Sequence, residues 1–206
     1  MTDAPHDATQ RPYHHGNLRT ALVEAGLAIL ERGEGALTLR SAAKAVGVSH
    51  TAPYNHFADK DALLAAIAVR GFEDLAAATE AARAAAGGHA GDQLVAAGRA
   101  YILFGAERPA LHRLMFGPRK AAAEDVGAAG LAAFEVLVRI MQDGMARGDF
   151  RAAEPRAAAF TAWALVHGMA QMALDRTGPL TAEDRAGIEA RLYAAHDIMM
   201  QGLRPR

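Results

Sequence analysis

The chain has 206 residues, about half of them hydrophobic, with a net charge of −1 and no cysteine. This length allows one or two domains with a sizeable core, and the lack of cysteine excludes disulfides and thiolate metal sites. Alanine, the best helix former, dominates the apolar residues, whereas the aromatic residues that favour strands make up only 6%. We therefore expect an all-α protein.

The N-terminal segment is polar, and we interpret residues 1–12 as a mobile arm without the apolar core of a secretory signal. No run of about 18 apolar residues without charges or interruptions occurs, which predicts no membrane span and favours a cytoplasmic location. The stretch 157–173 comes closest, but it contains His167 and Gln171 and is more typical of a buried helix.

Apolar residues recur at helical spacing through most of the chain and predict about nine helices and no strand. Glycine, proline and N-capping residues mark where these helices begin and end. The predicted helices cover residues 16–32, 39–46, 50–56, 60–86, 92–107, 110–116, 121–146, 155–176 and a last segment from Thr181 to about 202.

The segment 38–57 predicts two short helices joined by a tight turn. A helix-turn-helix needs a small residue where its helices cross, which Ala43 provides, and a residue that tolerates positive φ, which Gly47 provides four positions later. The Ala-x-x-x-Gly spacing alone is equally typical of two core helices that cross closely. In a helix-turn-helix, the second helix projects its first residues into a major groove of DNA.

Polar side chains in and around this segment are candidate DNA contacts. Asn55 offers an amide for adenine edges, Thr51 a methyl or hydroxyl group, and Tyr54 a phosphate contact. Lys60 and the free amides at the start of its helix predict a second phosphate site. The predicted DNA-binding residues are Thr38, Arg40, Ser49, His50, Thr51, Tyr54, Asn55, His56 and Lys60.

Net charge and one proline count against DNA binding. Nucleic-acid-binding proteins usually carry excess positive charge, and this chain as a whole does not. Residues 11–60, however, hold six basic and four acidic side chains, a balance of +2. Pro53 removes one early hydrogen bond of its helix and crowds the Ser49 carbonyl, so we expect that helix to be retained with a distorted first turn.

The string G-V-S-x-x-x-x-Y-x-H-F-x-x-K-x-x-L-L, from Gly47 to Leu64, resembles the DNA-binding domain of the TetR family of transcription regulators. The preceding L-T-L-R-S-A-A-K-A-V and the first helix fit the same layout, although the family usually has an apolar, non-proline residue in place of Pro53. The resemblance implies a three-helix DNA-binding head at 13–62 and a larger helical body at 63–206 for effector binding and dimerisation. It also implies operator binding, usually repression released by a small molecule.

The sequence W-x-x-x-H-G at Trp163, His167 and Gly168 resembles the WHG C-terminal domain of some TetR-like regulators. Trp163 and His167 share one helix face and are candidates for lining an effector cavity, although a packed tryptophan with a hydrogen-bonded histidine explains the spacing equally well. The predicted residues of a partly apolar effector pocket, each also consistent with core, are Tyr101, Phe104, Met115, Phe116, Phe134, Met141, Trp163 and His167.

The last two helices are candidates for a homodimer interface, because both carry apolar stripes that include small residues. Burial within one protomer explains the same stripes. A two-fold dimer would fit a palindromic operator. The stripes consist of Ala157, Ala158, Phe160, Thr161, Ala164 and Leu165, followed by Ile188, Leu192, Ala195 and Met199.

Motifs for other chemistries are absent from the sequence. It contains no H-E-x-x-H, G-x-S-x-G, P-loop or G-x-G-x-x-G, so we predict no metal, no cofactor and no catalytic residues. Two alternatives to a ligand-responsive regulator stay open. One is a helical DNA-binding protein without an effector, and the other is a helical interaction module that has lost DNA binding.

Overall fold

The computed structural model describes residues 18–33, 35–117, 124–175 and 185–203. Within these ranges the chain forms eight α-helices, one short 3₁₀ helix and no strand, which confirms the predicted all-α fold. The predicted arm and Thr181 lie outside the described residues. In chain order the elements are α1 (Leu18–Arg32), α2 (Leu39–Val46), the 3₁₀ helix (Ala52–Asn55), α3 (Lys60–Ala85), α4 (Ala90–Glu107), α5 (Pro109–Phe116), α6 (Glu124–Arg147), α7 (Pro155–Asp175) and α8 (Arg185–Leu203).

The predicted α-helix at 50–56 is wrong, because the structure has the 3₁₀ helix there. The N–H groups of Ala52, Tyr54 and His56 each donate to the carbonyl three residues earlier, at 2.9 to 3.2 Å. Pro53 has no N–H to give to the Ser49 carbonyl, and Ala52 takes that acceptor instead. The proline therefore favours the tighter 3₁₀ spacing through the whole segment rather than a distortion of its first turn alone.

One hydrophobic core joins the predicted head to the predicted body. Leu22 on α1 and Leu63 and Ile67 on α3 are fully buried, and the same cluster continues to Leu111 on α5 and to Leu192 on α8. Helix α3 runs straight through the predicted domain boundary at 62/63. The two regions therefore share apolar packing, and α3 belongs to both.

Two glycines allow α3 to lie unusually close to its neighbours. A Cβ on Gly26 of α1 would stand 2.8 Å from the Cδ1 atom of Ile67, and one on Gly71 of α3 would stand 2.7 Å from the sulfur of Met115. These separations are far below ordinary carbon contacts. Glycine at both positions thus sets the distances from α3 to α1 and to α5.

A second hydrophobic cluster lies among α4, α6, α7 and α8, and includes the fully buried Ile140, Met141 and Phe150. Helix α7 is long and apolar enough to cross a membrane by composition, and it is the single such helix among the described residues. Core helices of soluble proteins pass the same test, and α7 packs against α4, α6 and α8.

Candidate DNA-binding surface and effector cavity

Helix α2 is held at both ends by local hydrogen bonds. At its start the Thr38 hydroxyl accepts from the Ser41 N–H at 3.0 Å, and the Ser41 hydroxyl oxygen accepts from the Thr38 N–H at 2.9 Å. At its end Gly47 has a φ of +80°, and the N–H groups of Gly47 and Val48 both donate to the Ala43 carbonyl. These caps fix the direction in which the chain leaves α2.

The segment after α2 buries its apolar side and exposes its polar side. Pro53 and Phe57 are buried, whereas His50, Tyr54 and Asn55 are exposed. Tyr54 leaves 60% of its surface in water, which is a large exposure for an aromatic residue. Its ring and hydroxyl are therefore available to a partner.

A surface groove of about 450 Å³ lies between α2 and this segment. Its lining includes Thr38, Arg40, Lys44 and His50. Within the described part of the chain, Arg40 and Lys44 form no ion pair, and neither does Lys60. Among the residues that the structure describes, no carboxylate therefore forms an ion pair with the cations of this groove.

The start of α3 lies after the same segment. The Asp59 carboxylate accepts from the Ala62 N–H at 2.8 Å and caps the helix. Lys60, the first residue of α3, is exposed. The remaining first-turn amides and the Lys60 ammonium group make this helix end attractive to a phosphate group.

Three of the predicted DNA-binding residues, Thr38, Arg40 and His50, line the same groove. All of the predicted DNA-binding residues are exposed except His56, which is half-buried. Three of their hydroxyl groups already form hydrogen bonds within the chain. The Thr38 hydroxyl caps α2, and the Ser49 and Thr51 hydroxyls lie 3.1 Å apart. Lys44 was not predicted, although its position four residues after Arg40 places both cations on one face of α2.

The body contains a cavity of about 300 Å³ among α3, α4, α5, α6 and α7. Gly98 and Gly130 line it, and a Cβ on Gly98 would stand 3.1 Å from the Cγ1 atom of Val166, another lining residue. The predicted pocket residues that line it are Tyr101, Phe116, Phe134 and Trp163. Lining residues that were not among the predicted ones include Phe72, Leu75, Thr79, Phe160 and Val166.

Four predicted pocket residues do not line this cavity, and one of them, His167, lies beside two that do, Tyr101 and Trp163. Phe104 is buried with the Arg108 guanidinium 5.3 Å above its ring, Met115 packs at Gly71, and Met141 belongs to the second hydrophobic cluster. Helical periodicity identified them as buried, but it does not distinguish a filled core from the wall of a gap.

Tyr101 carries a polar group into this apolar cavity. Its hydroxyl lies 2.7 Å from Nδ1 of His167, whose ring stacks on Trp163 with centroids 4.9 Å apart. Burial raises the pKa of the Tyr101 hydroxyl, an effect that a hydrogen bond from the Trp163 side chain partly offsets, and burial lowers the pKa of His167. Both groups are therefore neutral near pH 7, and the tautomer of His167 decides which of them donates in this hydrogen bond.

His112 on α5 lies behind the cavity wall. It is fully buried, its ring centroid is 4.7 Å from that of Phe116 and 5.7 Å from that of His167, and neither of its nitrogens has a hydrogen-bond partner among the described residues. Burial, followed by the neighbouring His167 and Arg113, lowers the pKa of His112 to about 4. Sequence reasoning missed His112, because a lone histidine on an apolar helix face carries no distinctive signal.

Comparisons with known proteins agree with this arrangement. The family model described as bacterial regulatory proteins of the tetR family matches residues 22–67, and that of the tetracyclin repressor-like C-terminal domain matches residues 94–195. The second range includes the W-x-x-x-H-G sequence. No curated protein matches the chain significantly.

Solved structures with similar folds extend over almost the whole chain. A protein with unknown function from Rhodococcus sp. RHA1 is 37% identical, with a TM-score of 0.81 over 95% of this chain and 100% of that chain. A protein from Mesorhizobium loti MAFF303099 described as a TetR-family transcriptional regulator is 17% identical, with a TM-score of 0.76 over 94% and 100%.

The TetR family transcriptional regulator PfmR from Thermus thermophilus is 22% identical, with a TM-score of 0.61 over 95% of this chain and 100% of that chain. At these identities the last two structures establish similarity of fold. Given the helix-turn-helix with its exposed polar side chains, the helical body and the two family matches, the chain belongs to the tetR family of bacterial regulatory proteins and is a DNA-binding transcriptional regulator.

Proposed function

We propose that this protein is a homodimeric repressor, acting in the cytoplasm, that leaves its operator when a small molecule occupies the body cavity. The head, residues 13–62, binds DNA, and the body, residues 63–206, binds the effector and dimerises. The observation that carries the proposal is the position of α5. Phe116, the last residue of α5, lines the cavity. Arg108, which immediately precedes the first residue of α5, is hydrogen-bonded to Glu31 of the head.

DNA binding by the head is supported by the chemistry of its exposed residues. Tyr54 and Asn55 are exposed on the segment that follows the α2 turn, and they suit contacts to phosphate and base edges. Arg40, Lys44 and Lys60 supply positive charge at both sides of this segment. We assign base contacts to the segment and phosphate contacts to the flanking cations.

Release by an effector is supported by the bonds of Arg108. Its guanidinium donates to Glu31 on α1 at 2.5 Å and to Asp74 on α3 at 2.7 Å. A ligand that displaces Phe116 moves α5, and α5 is attached through Arg108 to the first helix of the head. Occupancy of the cavity and the orientation of the head are therefore mechanically linked.

Dimerisation is supported by unburied apolar residues on α7 and α8. Phe160 on α7 is 58% exposed, and Ile198 on α8 is 71% exposed. Ala157 and Ala164, also exposed, would let a partner helix approach α7 closely. Leu192 is buried in the core of its own protomer, so it is not available for the α8 part of the interface; the Ile188 side chain lies outside the described residues.

The first test is the selection of DNA fragments by the full-length protein, followed by a salt titration on the best fragment. The proposal expects a two-fold-symmetric site bound in the nanomolar range or tighter, with an affinity that falls steeply as salt rises. Recovery of only weak, sequence-independent binding would favour an interaction module that has lost DNA binding. The structural argument for that alternative is the 3₁₀ form of the recognition segment, residues 50–56.

Substitutions then test the assigned contacts. Lys60→Ala should weaken binding to all sequences and lower the salt slope by about 1, whereas Asn55→Ala should cost about 1–3 kcal/mol and relax base preference. Arg139→Ala, which removes an exposed cation of α6 in the body, is the matched control and should leave both quantities unchanged. Equal effects of Lys60→Ala and Arg139→Ala would contradict the phosphate assignment.

A further inference from the structure

The few polar atoms in the wall of the body cavity specify the kind of molecule that fits it. From their hydrogen bonds we propose that the effector is uncharged, with an apolar body that carries a hydroxyl group, as in a phenol or a hydrophobic alcohol. This inference rests on the proposed function, because it names the class of ligand for the same cavity.

With His167 in its Nε2–H tautomer, the Tyr101 hydroxyl can only accept a hydrogen bond from a ligand. We assign this tautomer because a phenol O–H is a stronger donor than a neutral imidazole N–H, so the Tyr101 hydroxyl donates to the bare Nδ1 of His167, 2.7 Å away. The indole of Trp163 lowers the pKa of Tyr101 as a hydrogen-bond donor, and because it has no acceptor atom it cannot take the Tyr101 proton. A lone pair of Tyr101 is what remains for the cavity.

Thr79, the other hydroxyl in the wall, has the same polarity. Its oxygen lies 2.9 Å from the Leu75 carbonyl and 3.1 Å from the Ala76 carbonyl, so its proton is held by the backbone of α3. Both wall hydroxyls therefore present acceptors and no donor. A ligand matches them with a donor of its own, as an alcohol or phenol does and as an ether or a carboxylate does not.

Charge also discriminates among ligands. Among the described residues no Lys, Arg, Asp or Glu side chain lines the cavity. An ionised carboxylate or ammonium group would lose its water without gaining a counter-charge, which is strongly unfavourable. With a volume of about 300 Å³, the cavity lies at the small end of the usual range for ligand sites and suits a compact molecule of one to three rings.

His112 is a second, independent sign of an unmet polar partner near this end of the cavity. Within the described part of the chain its two nitrogens are buried without partners, and its ring lies edge-on to Tyr101 and against Phe116, which both line the cavity. A neutral imidazole offers one donor and one acceptor. A hydroxyl group, which also does both, is the partner that would satisfy His112 if Phe116 turned aside.

The test uses four probes with one carbon skeleton, and isothermal titration calorimetry of the full-length protein. They are naphthalene, β-naphthol, its methyl ether and β-naphthoate. We expect β-naphthol to bind about tenfold more tightly than naphthalene and the ether, the size of effect that one good hydrogen bond gives. We expect β-naphthoate to bind more weakly than naphthalene.

Variants locate the hydrogen bond. Tyr101→Phe keeps the ring and removes the acceptor, and should bring the affinity for β-naphthol to within about twofold of that for naphthalene. Naphthalene affinity should be unchanged, which shows that the variant is folded with its cavity intact. Tyr193→Phe, which removes the hydroxyl of an exposed tyrosine on α8, is the matched control and should keep the full preference. Thr79→Val removes the second acceptor and should reduce the preference for β-naphthol over naphthalene by less than Tyr101→Phe does.

The outcomes distinguish this inference from the proposed function. Tightest binding of β-naphthoate would overturn the inference and indicate a cation from outside the described residues. An unchanged β-naphthol preference in Tyr101→Phe together with Thr79→Val, or no binding of any probe, would overturn it as well. Operator binding is measured separately: a β-naphthol preference without any loss of operator affinity would keep the inference and refute effector release.

Discussion

The candidate DNA contacts of the head lie between residues 38 and 60, whereas the cavity of the body is lined by residues of five helices, from Phe72 to Val166. In the head, caps and a turn whose bonds span a few residues expose polar side chains to solvent. In the body, the site exists only after distant helices have packed. The head can therefore lose DNA binding through local changes, while the cavity depends on the packing of the whole bundle.

We expect the largest change in the free energy of unfolding from truncation of buried core side chains. Ile67→Ala and Met141→Ala each truncate a fully buried side chain, and each should lower the free energy of unfolding by about 2–5 kcal/mol. Ile67 packs at Gly26 of the head, so its truncation should also weaken operator binding. Met141 belongs to the second cluster, and its truncation should leave operator affinity intact at temperatures where the protein stays folded.

Urea unfolding monitored by circular dichroism and by Trp163 fluorescence checks this prediction. Because Trp163 is the single tryptophan and lies in the body, the two signals report different parts of the chain. One coincident transition is expected, since the first core spans head and body. Two separated transitions, with Ile67→Ala affecting only one, would mean that the regions fold independently.

The buried His112 makes the stability of the body depend on pH. Its pKa of about 4 lies below that of an unfolded histidine near 6.5, so the unfolded chain binds the extra proton first as pH falls. The stabilisation is complete above about pH 6.5 and is lost down to about pH 4, with a change of up to about 3 kcal/mol.

His112→Phe should reduce this dependence when the free energy of unfolding is measured at several pH values, and the part due to His167 and His196, whose pKa values burial also lowers, should remain. His50→Phe, a substitution of an exposed histidine in the head, is the control and should leave the wild-type dependence in place. A wild-type stability that stays constant as the solution is acidified would show that His112 is solvated or bonded in a way that this structure lacks.

Gly47 tests how far the head depends on one backbone position. Its φ of +80° is strained for other residues, and a Cβ there would meet no atom within 4 Å. Gly47→Ala should therefore cost about 1–2 kcal/mol through conformation alone, and should lower operator affinity by misdirecting the recognition segment. Gly127→Ala, at an open helical position of α6, should instead stabilise the protein by up to about 1 kcal/mol.

Thermal unfolding together with operator titration measures both variants. If Gly47→Ala bound DNA like the wild type, the left-handed cap would not be what directs the segment. An equal loss of stability in Gly127→Ala would point to a general intolerance of added methyl groups instead.

The head and the body also differ in how much of each could be predicted from the sequence. The bounds of α2, from the Thr38 cap to Gly47, were predicted correctly because both caps are formed by neighbouring residues. The segment 50–56 was predicted as an α-helix because the effect of Pro53 was assigned to one hydrogen bond, whereas the whole segment adopts 3₁₀ spacing.

In the body, periodicity predicted the helices and most buried residues, but not which of them surround empty space. Met141 and Phe134 lie seven residues apart on one helix, yet the first is packed in a core and the second lines the cavity. That difference comes from the residues of other helices opposite them, including Gly98 on α4. Sequence periodicity contains no information about such gaps, so cavity membership required the fold.

The smallest expected effect concerns the contact that connects the two regions. The Arg108 side chain is 24% exposed and forms ion pairs with Glu31 of the head and Asp74 of α3. Burial alone would raise the pKa of Asp74, but hydrogen bonds from Arg108 and Arg70 outweigh it and keep that pKa below its usual range. A double-mutant cycle of Arg108→Met and Glu31→Gln should give a coupling of about 0.5–1 kcal/mol, because both groups are partly in water.

The same pair should matter more for communication than for stability. If α5 acts on the head through Arg108, then Arg108→Met should reduce the loss of operator affinity that a cavity ligand causes, while ligand affinity itself measured without DNA stays the same. The Arg83 and Glu80 pair, which lies within α3, provides the control, since Arg83→Met removes a similar ion pair that does not join head to body. Equal ligand effects in wild type, Arg108→Met and Arg83→Met would mean that the shared apolar core, rather than this ion pair, transmits the change between cavity and head.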